Sequence, residues 1–254
     1  MGYQSLSKAK AKELKSLSSK KERDRQGLFL AEGEKCVKDT LDAFCLENLI
    51  ATQEWADNNQ GIVQKYKEKL LISDKRGLEI ISSFNSLPEV IAVFRQKACI
   101  EKIPVLDSKK LYVLLDEIQD PGNLGTIIRT CDWFGVYEIY ASRNTADVYS
   151  PKVVQASMGS LSRVSVNYIN LIELIEKNKD LKVIGTLLNG NPLDQTSLPS
   201  FGFLLMGNEG RGISKELQAM VDLPVTIPPV NKSSHPDSLN VAIATAILLS
   251  HITQ

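Results

Sequence analysis

Histidine and cysteine are scarce in this chain of 254 residues, which contains two histidines and four cysteines. The cysteines are Cys36, Cys45, Cys99 and Cys131. They form no C-x-x-C pair, so the spacing of a zinc site or of a disulfide framework is missing, and we expect buried free thiols. Because His235 and His251 stand alone, a multi-histidine metal site is excluded and a Ser-His hydrolase triad is disfavoured. We expect no metal site.

Long apolar runs are also missing. No stretch reaches the roughly 18 apolar residues that a membrane-spanning helix needs. Residues 1–21 are basic and rich in serine, without the apolar centre of a secretory signal. We therefore expect a cytoplasmic protein with no membrane partner. The hydrophobic fraction of 43% predicts a core of ordinary size.

The chain as a whole lacks a net charge, because 30 basic residues balance 30 acidic ones. The charge is nevertheless uneven, since residues 1–26 contain eight Lys or Arg against three acidic residues. Basic N-terminal segments often bind nucleic acid, because neutralised phosphates release counterions. A solvated basic helix without a partner explains the feature equally well. Phosphate contact of this kind carries no base readout.

Two regions of alternating strand and helix patterns flank a segment that fits neither pattern. Residues 28–95 contain the short apolar runs LFLAEG, ENLIAT and EVIAVF between helical patterns, which predicts a small α/β unit. Residues 96–110 contain Pro104 and several charges, and we place a linker there. The predicted domains are residues 1–105, which begin with a basic helix, and residues 106–254.

Six apolar segments after residue 110 predict the strands of a parallel sheet. They cover residues 111–116, 138–142, 162–166, 182–188, 201–206 and 223–227. Their apolar character is continuous rather than alternating, which is typical of strands covered by helices on both faces. Ser150 and Asn170 are predicted to cap two of the intervening helices. Ligands bind such sheets at the carboxyl ends of the strands, so the loops at those ends are the candidate site.

The loop after the first of these strands leads into a helix predicted from Leu124 to Phe134. Asn123 is predicted to cap this helix and Gly135 to end it. Helical spacing places Arg129 on the order of 160° from the middle of the apolar stripe. An exposed arginine without a function is the simplest interpretation. Its position at the ligand-binding edge makes it a candidate all the same.

The second loop, MGNEGRGIS at residues 206–214, contains Gly207, Gly210 and Gly212. Dense glycines let backbone groups approach a ligand closely, although they also occur in simple tight turns. The order G-x-x-G-x-G matches neither a dinucleotide fingerprint nor a phosphate-binding loop. The carboxylate of Glu209 suits hydroxyls, amines or a guanidinium better than phosphate.

The third loop lies between Ile227, where two prolines end the strand, and a C-terminal helix. Ser238 is predicted to cap that helix, with Leu239 and Asn240 as its first residues. Capping alone explains Ser238 and Asn240 as well as a functional role does. The helix is apolar on nearly every side, which predicts that it packs on the sheet and on another subunit.

Together the three loops resemble the motifs of the SpoU (TrmH-type) family of RNA ribose 2′-O-methyltransferases. The pattern N-x-G-x-x-x-R is matched by Asn123, Gly125 and Arg129. The pattern G-x-E-G-x-G is matched by Gly207, Glu209, Gly210 and Gly212. An I-P strand end followed by S-L-N-V is matched by Ile227, Pro228, Ser238, Leu239, Asn240 and Val241. Residues 109–254 carry this resemblance, and residues 28–41 resemble the start of the family's small RNA-binding domain.

The resemblance implies an α/β fold with two domains. A small α/β RNA-binding domain, similar to certain ribosomal proteins, comes first. A parallel-sheet methyltransferase domain with a C-terminal trefoil knot follows it. It also implies S-adenosylmethionine as the methyl donor, ribosomal or transfer RNA as the substrate, and a homodimer formed through the C-terminal domain. The residues implied in catalysis are Arg129, Asn123, Glu209, Ser238 and Asn240. The residues whose backbone groups are implied in donor binding are Leu187, Gly207, Asn208, Gly210, Ile227 and Leu239. The loop between Ile227 and Ser238 is longer than in the family pattern.

The role often given to the arginine of this family is that of a general base. A guanidinium pKa above about 12 favours another role, in which Arg129 binds the adjacent phosphate and orients the ribose hydroxyl. Glu209 is then expected to hold Arg129 by paired hydrogen bonds. Two alternatives remain open: an inactive RNA-binding protein of the same fold, and a knotted enzyme that methylates an RNA base. A nucleotide-dependent oxidoreductase is disfavoured, since no strand is followed by the glycine fingerprint and distant acid that it requires.

Overall fold

The computed structural model of the chain describes residues 3–98, 100, 102–231 and 238–253. The chain divides into two compact units. The first unit contains Met1–Ala98 and Asp147–Ser162, and the second unit contains Cys99–Ala146 and Arg163–Gln254. Each unit has its own β-sheet. None of the described helices is long and apolar enough to cross a membrane.

The sheet of the first unit is mixed and has five described strands. They are β1 (Gln4–Ser5), β2 (Leu28–Glu32), β3 (Leu46–Ala51), β4 (Leu70–Ile72) and β5 (Val90–Arg95). In the order β1-β4-β3-β5-β2, the first three strands are parallel and β5 is antiparallel to both β3 and β2. The three predicted apolar runs correspond to β2, β3 and β5. The α/β character predicted for this part of the chain is thus confirmed.

The basic start of the chain forms two helices rather than one. The helices of this part are α1 (Lys8–Ser16), α2 (Lys20–Gln26), α3 (Glu34–Thr40), α4 (Gln53–Asn58), α5 (Gln60–Lys65) and α6 (Lys75–Ile81). Ser7 caps α1, because its hydroxyl accepts from the backbone N–H of Lys10 at 3.1 Å. Ala11 and Leu14 are buried in the core of the unit, whereas Lys8 and Lys12 are exposed.

Arg23 belongs to the basic start of the chain but is buried, at 2% exposure. Its Nη2 and Nε donate to Oδ2 of Asp147 at 2.6 and 3.0 Å. Its Nη1 donates to the carbonyl oxygens of Leu17 and Ser18. Removing one partner of such a buried pair is strongly destabilising, because the other charge is left without compensation. Arg23 therefore stabilises the first unit and is not available to bind RNA.

The sheet of the second unit is parallel throughout its described strands. They are β6 (Leu111–Leu115), β7 (Glu138–Ala141), β8 (Ser165–Tyr168), β9 (Val183–Pro192), β10 (Gly202–Met206) and β11 (Leu223–Thr226). Their order is β11-β9-β10-β6-β7-β8. All six predicted strands are present. The third begins later than predicted, because residues Ser160–Ser162 form a 3-10 turn.

The remaining described helices belong to both units. They are α7 (Pro121–Trp133), α8 (Pro151–Ala156), α9 (Leu171–Lys177), α10 (Lys215–Gln218) and α11 (Val241–Ile252). The predicted caps Ser150 and Asn170 are confirmed, since their side-chain oxygens accept from N–H groups at the starts of α8 and α9. α8 belongs to the first unit, whereas α11 packs against α7 in the second.

The cysteines differ in exposure. Cys36 and Cys131 are buried free thiols, as predicted. Cys45 is exposed, so the prediction that it is buried is wrong. It lies in the connection between α3 and β3, directly before the first residue of that strand. Cys99 lies outside the described residues.

Candidate active site at the carboxyl edge of the parallel sheet

The helix α7 begins three residues earlier than predicted. Asp120 caps it, because its Oδ1 accepts from the backbone N–H of Asn123 at 2.8 Å. Pro121 occupies the first helical position, where a missing N–H costs nothing. The prediction that Asn123 is the cap is therefore wrong. The side chain of Asn123 is instead available to contact other loops.

Asn123 joins the three predicted motifs through its side chain. Its Nδ2 donates to Oε1 of Glu209 at 2.8 Å, and its Oδ1 accepts from Nδ2 of Asn240 at 2.9 Å. Glu209 belongs to the loop that follows β10, and Asn240 directly precedes α11. We call these three side chains the polar bridge. One residue from each motif is thus held within hydrogen-bond distance of another.

Asn240, and not Ser238, caps α11. Its Oδ1 accepts from the N–H groups of Ala242 and Ile243 at 2.9 and 3.3 Å, and the helix begins at Val241. The predicted cap was therefore two residues too early. Because one end of the Asn240 amide caps the helix while the other binds Asn123, the start of α11 fixes the geometry of the polar bridge. Ser238 is exposed.

Arg129 lies on the exposed side of α7, opposite the buried residues Leu124, Ile127 and Ile128. The expected pair between Arg129 and Glu209 is not formed, because the Glu209 carboxylate accepts from Asn123 instead. Within the part of the chain that the structure describes, Arg129 makes no hydrogen bond or ion pair. Its five N–H donors are therefore free for a bound group.

The loop of residues 206–214, which we call the glycine loop, needs a glycine at its start. A Cβ atom on Gly207 would lie 2.3 Å from the backbone carbon of Gly212 and from the nitrogen of Ile213. Real Cβ atoms do not approach other atoms so closely, so a larger residue would force the loop open. Gly212 suits its position for another reason, because its φ of 70° lies in the left-handed region that glycine adopts without strain.

Asn208 shapes the glycine loop from within. Its backbone N–H and C=O pair with Gly212 at 3.0 and 2.9 Å. Its Oδ1 accepts from the N–H groups of Gly210 and Arg211, both at 3.0 Å. Its Nδ2 donates to the carbonyl oxygen of Glu117 at 2.8 Å. The side-chain amide of Asn208 is therefore engaged at both ends by the protein, and its predicted contact with the donor stays a prediction.

The other predicted donor-binding residues are apolar and incompletely buried. Leu187 is half-buried in β9, within the stretch where pairing with β11 jumps from Gly185 to Asn191. Ile227 directly follows β11 and is half-buried, and Leu239 is 51% exposed. These side chains offer apolar surface to a ligand. Part of the long loop after Ile227, residues 232–237, lies outside the described residues.

A cavity of about 700 Å³ opens at the carboxyl ends of β6, β7 and β8. Asp116, Ser142, Arg143 and Asn170 contribute to its lining, and none of the predicted site residues does. Asp116 is buried, and its Oδ2 accepts from the backbone N–H of Ser214 at 2.7 Å. None of the three side chains of the polar bridge lines this cavity, so the bridge and the cavity are separate candidate sites at this edge of the sheet.

The chemistry available at the bridge is that of hydrogen bonding and charge. Burial raises the pKa of the Cys131 thiol on α7, so this residue does not supply a thiolate. Among the described residues, no group of His, Cys, Asp and Glu is arranged to hold a metal ion. Asp120 and Glu117 were missed by the sequence analysis. Pro121 could have revealed Asp120 as a cap, whereas no local pattern marks Glu117.

Comparisons with known proteins identify the family of the chain. The family model of the SpoU rRNA methylase family matches residues 110–250, and that of the MRM3-like substrate binding domain matches residues 8–91. The 23S rRNA (guanosine(2553)-2′-O)-methyltransferase RlmP of Bacillus subtilis is 30% identical, with 98% of each chain covered. The 23S rRNA (uridine(2479)-2′-O)-methyltransferase of Streptomyces viridochromogenes is 29% identical over 94% of this chain and 87% of its own.

A solved structure with the same fold is the AdoMet-bound rRNA methyltransferase of Sinorhizobium meliloti. It superimposes with a TM-score of 0.86 and 30% identity, over 98% of this chain and 95% of its own. The likeness therefore extends over both units of the chain and not over the parallel sheet alone. The chain belongs to the SpoU rRNA methylase family.

Proposed function

We propose that this protein transfers a methyl group from S-adenosylmethionine to a ribose 2′-hydroxyl of RNA, with ribosomal RNA as the favoured substrate. The observation that carries the proposal is the polar bridge, in which Asn123 binds both Glu209 and Asn240. It gathers the three motifs of the family at one point beside α7. Relatives that match over nearly the whole chain are named as 23S rRNA 2′-O-methyltransferases.

The predicted donor-binding residues have properties that suit a methyl donor of this kind. Gly207 lets the glycine loop fold tightly on itself, because a Cβ atom there would meet the backbone of Gly212 and Ile213. Leu187, Ile227 and Leu239 supply apolar surface suited to a flat base. S-adenosylmethionine, when bound, supplies a methyl group that its sulfonium makes electrophilic. The chain then has to place an RNA hydroxyl next to that methyl and exclude water.

We assign Arg129 the role of contacting the RNA. Its guanidinium is exposed and uncommitted within the described structure, and its positive charge does not depend on pH in the physiological range. We assign it to the phosphate beside the target ribose, where a bidentate contact would orient the 2′-hydroxyl. The hydroxyl proton leaves to phosphate or water, because a guanidinium is a poor base. Glu209, Asn123 and Asn240 hold the loops around this position.

The first unit is proposed to bind the RNA that carries the target. The match of the substrate-binding family model to residues 8–91 and the exposed lysines Lys8, Lys12 and Lys21 support this role. Arg23 is excluded from the contact, because Asp147 holds it in the interior. The proposal includes the cytoplasm as the site of action, and it includes the trefoil knot that the family resemblance implies.

We also propose that the protein is a homodimer through α11. Ile243 and Ile247 lie one turn apart on this helix and are 52% and 37% exposed, and Trp133 at the end of α7 is 85% exposed. Such apolar surface is unfavourable in water and is typical of an interface. Sedimentation should show a dimer that Ile243→Asp converts to a monomer, while Ile80→Asp in the first unit has no such effect. A monomeric wild-type protein would contradict the dimer.

The experiment for the activity is transfer from methyl-labelled S-adenosylmethionine to ribosomal RNA, followed by nucleoside mass spectrometry. We expect label on a ribose, in a nucleotide whose phosphodiester resists alkali. Label on a base would favour the alternative enzyme that methylates RNA bases. Absence of label with bound RNA would favour the inactive RNA-binding protein.

A further inference from the structure

Glu117 has a backbone conformation that a glutamate rarely adopts. Its φ is 58°, in the left-handed region, and Met158 is the other described non-glycine residue with a positive φ. A side chain in this region costs free energy that the surrounding structure has to offset, and such residues cluster at functional sites. Glu117 lies two residues after the end of β6 and precedes the cap of α7, so it lies at the carboxyl edge of the sheet.

Every polar group of Glu117 contacts another loop of this edge. Its backbone N–H donates to Oγ of Ser142 at 2.8 Å, and its carbonyl oxygen accepts from Nδ2 of Asn208 at 2.8 Å. Its carboxylate accepts from Nδ2 of Asn144 at 2.7 Å and from Nη2 of Arg211 at 2.5 Å. Three loops, after β6, β7 and β10, are therefore tied together at one residue.

The contacts to the glycine loop explain why the unusual backbone conformation is kept. Asn208 spans this loop, with its Oδ1 on the N–H groups of Gly210 and Arg211 and its Nδ2 on the carbonyl of Glu117. A rotation of Glu117 out of the left-handed region would turn that carbonyl away from Asn208. The pair with Arg211 adds a weaker contact, because the arginine side chain is 66% exposed.

We infer that Glu117 is a positioning residue for methyl transfer: its left-handed backbone and its carboxylate hold the glycine loop in the conformation that binds the donor. This inference rests on the proposed function, since it takes the glycine loop as part of the donor site. A loop that is already ordered binds its ligand more tightly, because the cost of ordering it is not taken from the binding free energy. Glu117 therefore acts through Asn208 and Arg211, without touching the donor.

Two substitutions of Glu117 distinguish the effect of its backbone conformation from the effect of its carboxylate. Glu117→Gly removes the carboxylate but adopts a φ of 58° without strain, so the carbonyl still reaches Asn208. Glu117→Val removes the carboxylate and, being β-branched, also disfavours the left-handed conformation. We expect donor affinity, measured by calorimetric titration with S-adenosylmethionine, to fall about fivefold in the glycine variant. A further loss of about tenfold is expected in the valine variant.

Met158 provides the matched control, because it has a φ of 49° and lies in the first unit. Met158→Gly and Met158→Val impose the same backbone changes outside the glycine loop. We expect Met158→Val to lower the melting temperature while leaving donor affinity at the wild-type value. Wild-type affinity in Glu117→Val, or an equal loss in Met158→Val, would overturn the inference. Absence of binding to the wild-type protein would overturn the proposed function itself.

A double-mutant cycle tests the carboxylate even if the valine variant does not fold. Glu117→Gln and Arg211→Gln each remove one charge of the pair; the first keeps the size of the side chain, and the second shortens an arginine that is 66% exposed. If the pair positions the loop, the double variant binds the donor no more weakly than either single variant. Fully additive losses in donor affinity would show that Glu117 and Arg211 act independently, which contradicts the inference.

Discussion

Asn240 donates from its Nδ2 to Oδ1 of Asn123 at 2.9 Å, across 117 residues of chain. The contact joins the start of α11 to the first turn of α7. Because the other end of the Asn240 amide caps α11, and because Asp120 rather than Asn123 caps α7, the two asparagines contribute differently to stability. Substitution of Asn123 therefore tests the function of the polar bridge alone, whereas substitution of Asn240 also affects the stability of α11.

Asn123→Ala should abolish methyl transfer and leave the stability of the protein nearly unchanged. The variant breaks the links to Glu209 and Asn240 but keeps the cap of α7, so we expect a melting temperature near that of the wild-type protein. Asn240→Ala should lose activity and also about 1 kcal/mol of stability, because α11 loses its cap. Asn170→Ala, which removes the cap of α9, is the control with a stability loss alone. Normal transfer by Asn123→Ala would contradict the role of the bridge.

Arg129→Lys should bind the donor normally and transfer the methyl group slowly. A lysine keeps the positive charge but cannot make the paired, planar contact of a guanidinium with phosphate. We expect a loss of roughly a hundredfold in the single-turnover rate, the size found when one oriented donor is removed from an active site. A near-normal rate at saturating donor would show that Arg129 does not orient the RNA.

Thiol labelling of the folded protein should select Cys45. Burial raises the pKa of the Cys36 thiol to about 11 and also raises that of Cys131, so both remain protonated and shielded at neutral pH. Peptide mass spectrometry after iodoacetamide should find Cys45 modified before Cys36 and Cys131. All thiols should react once the chain is unfolded in guanidinium. Equal rates for Cys36 and Cys45 in the native protein would contradict the described burial.

Glu32 should make the first unit less stable as pH rises. Burial raises its pKa above the ordinary value of 4.5, and hydrogen bonds from Ser82 and Ser83 oppose this only in part. The native state therefore holds the proton more tightly than the unfolded chain does. This contribution to stability is complete below the unfolded pKa and is lost as pH rises through the folded pKa.

The measurement for Glu32 compares urea unfolding of the wild-type protein and Glu32→Gln at several pH values. The glutamine has no proton to lose, so the free energy of unfolding of the wild type relative to the variant should fall as pH is raised from about 4 towards 7. A difference that is constant or that rises over this range would contradict the raised pKa.

Most strands of the parallel sheet were predictable because they contain a continuous apolar run, which a doubly covered strand requires. The exception is β8 (Ser165–Tyr168), which is half-buried throughout and begins later than predicted. The caps were harder, since Asp120 and Asn123 are equally good capping residues. Pro121 would have decided between them, because proline favours the first helical position. Ser238 and Asn240 offered the same ambiguity without a proline to resolve it.

Long-range partners could not be predicted from the chain alone. The burial of Arg23 depends on Asp147, 124 residues away, and nothing in the local pattern distinguishes this arginine from the exposed lysines beside it. The positive φ of Glu117 has the same origin, since contacts with distant loops impose it. The motifs identified the loops of the site, whereas the hydrogen bonds between those loops required the structure.

The central claim is that the glycine loop and its neighbours form one site for S-adenosylmethionine, and Gly207→Ala tests it most directly. The added Cβ would lie 2.3 Å from backbone atoms of Gly212 and Ile213, so the loop must open. Gly61→Ala on α5 is the control, because a Cβ there meets no atom within 4 Å. In calorimetric titrations we expect the wild type and Gly61→Ala to bind the donor, and a folded Gly207→Ala not to bind it. A wild-type protein without binding, or a Gly207→Ala variant with normal binding, would contradict the account.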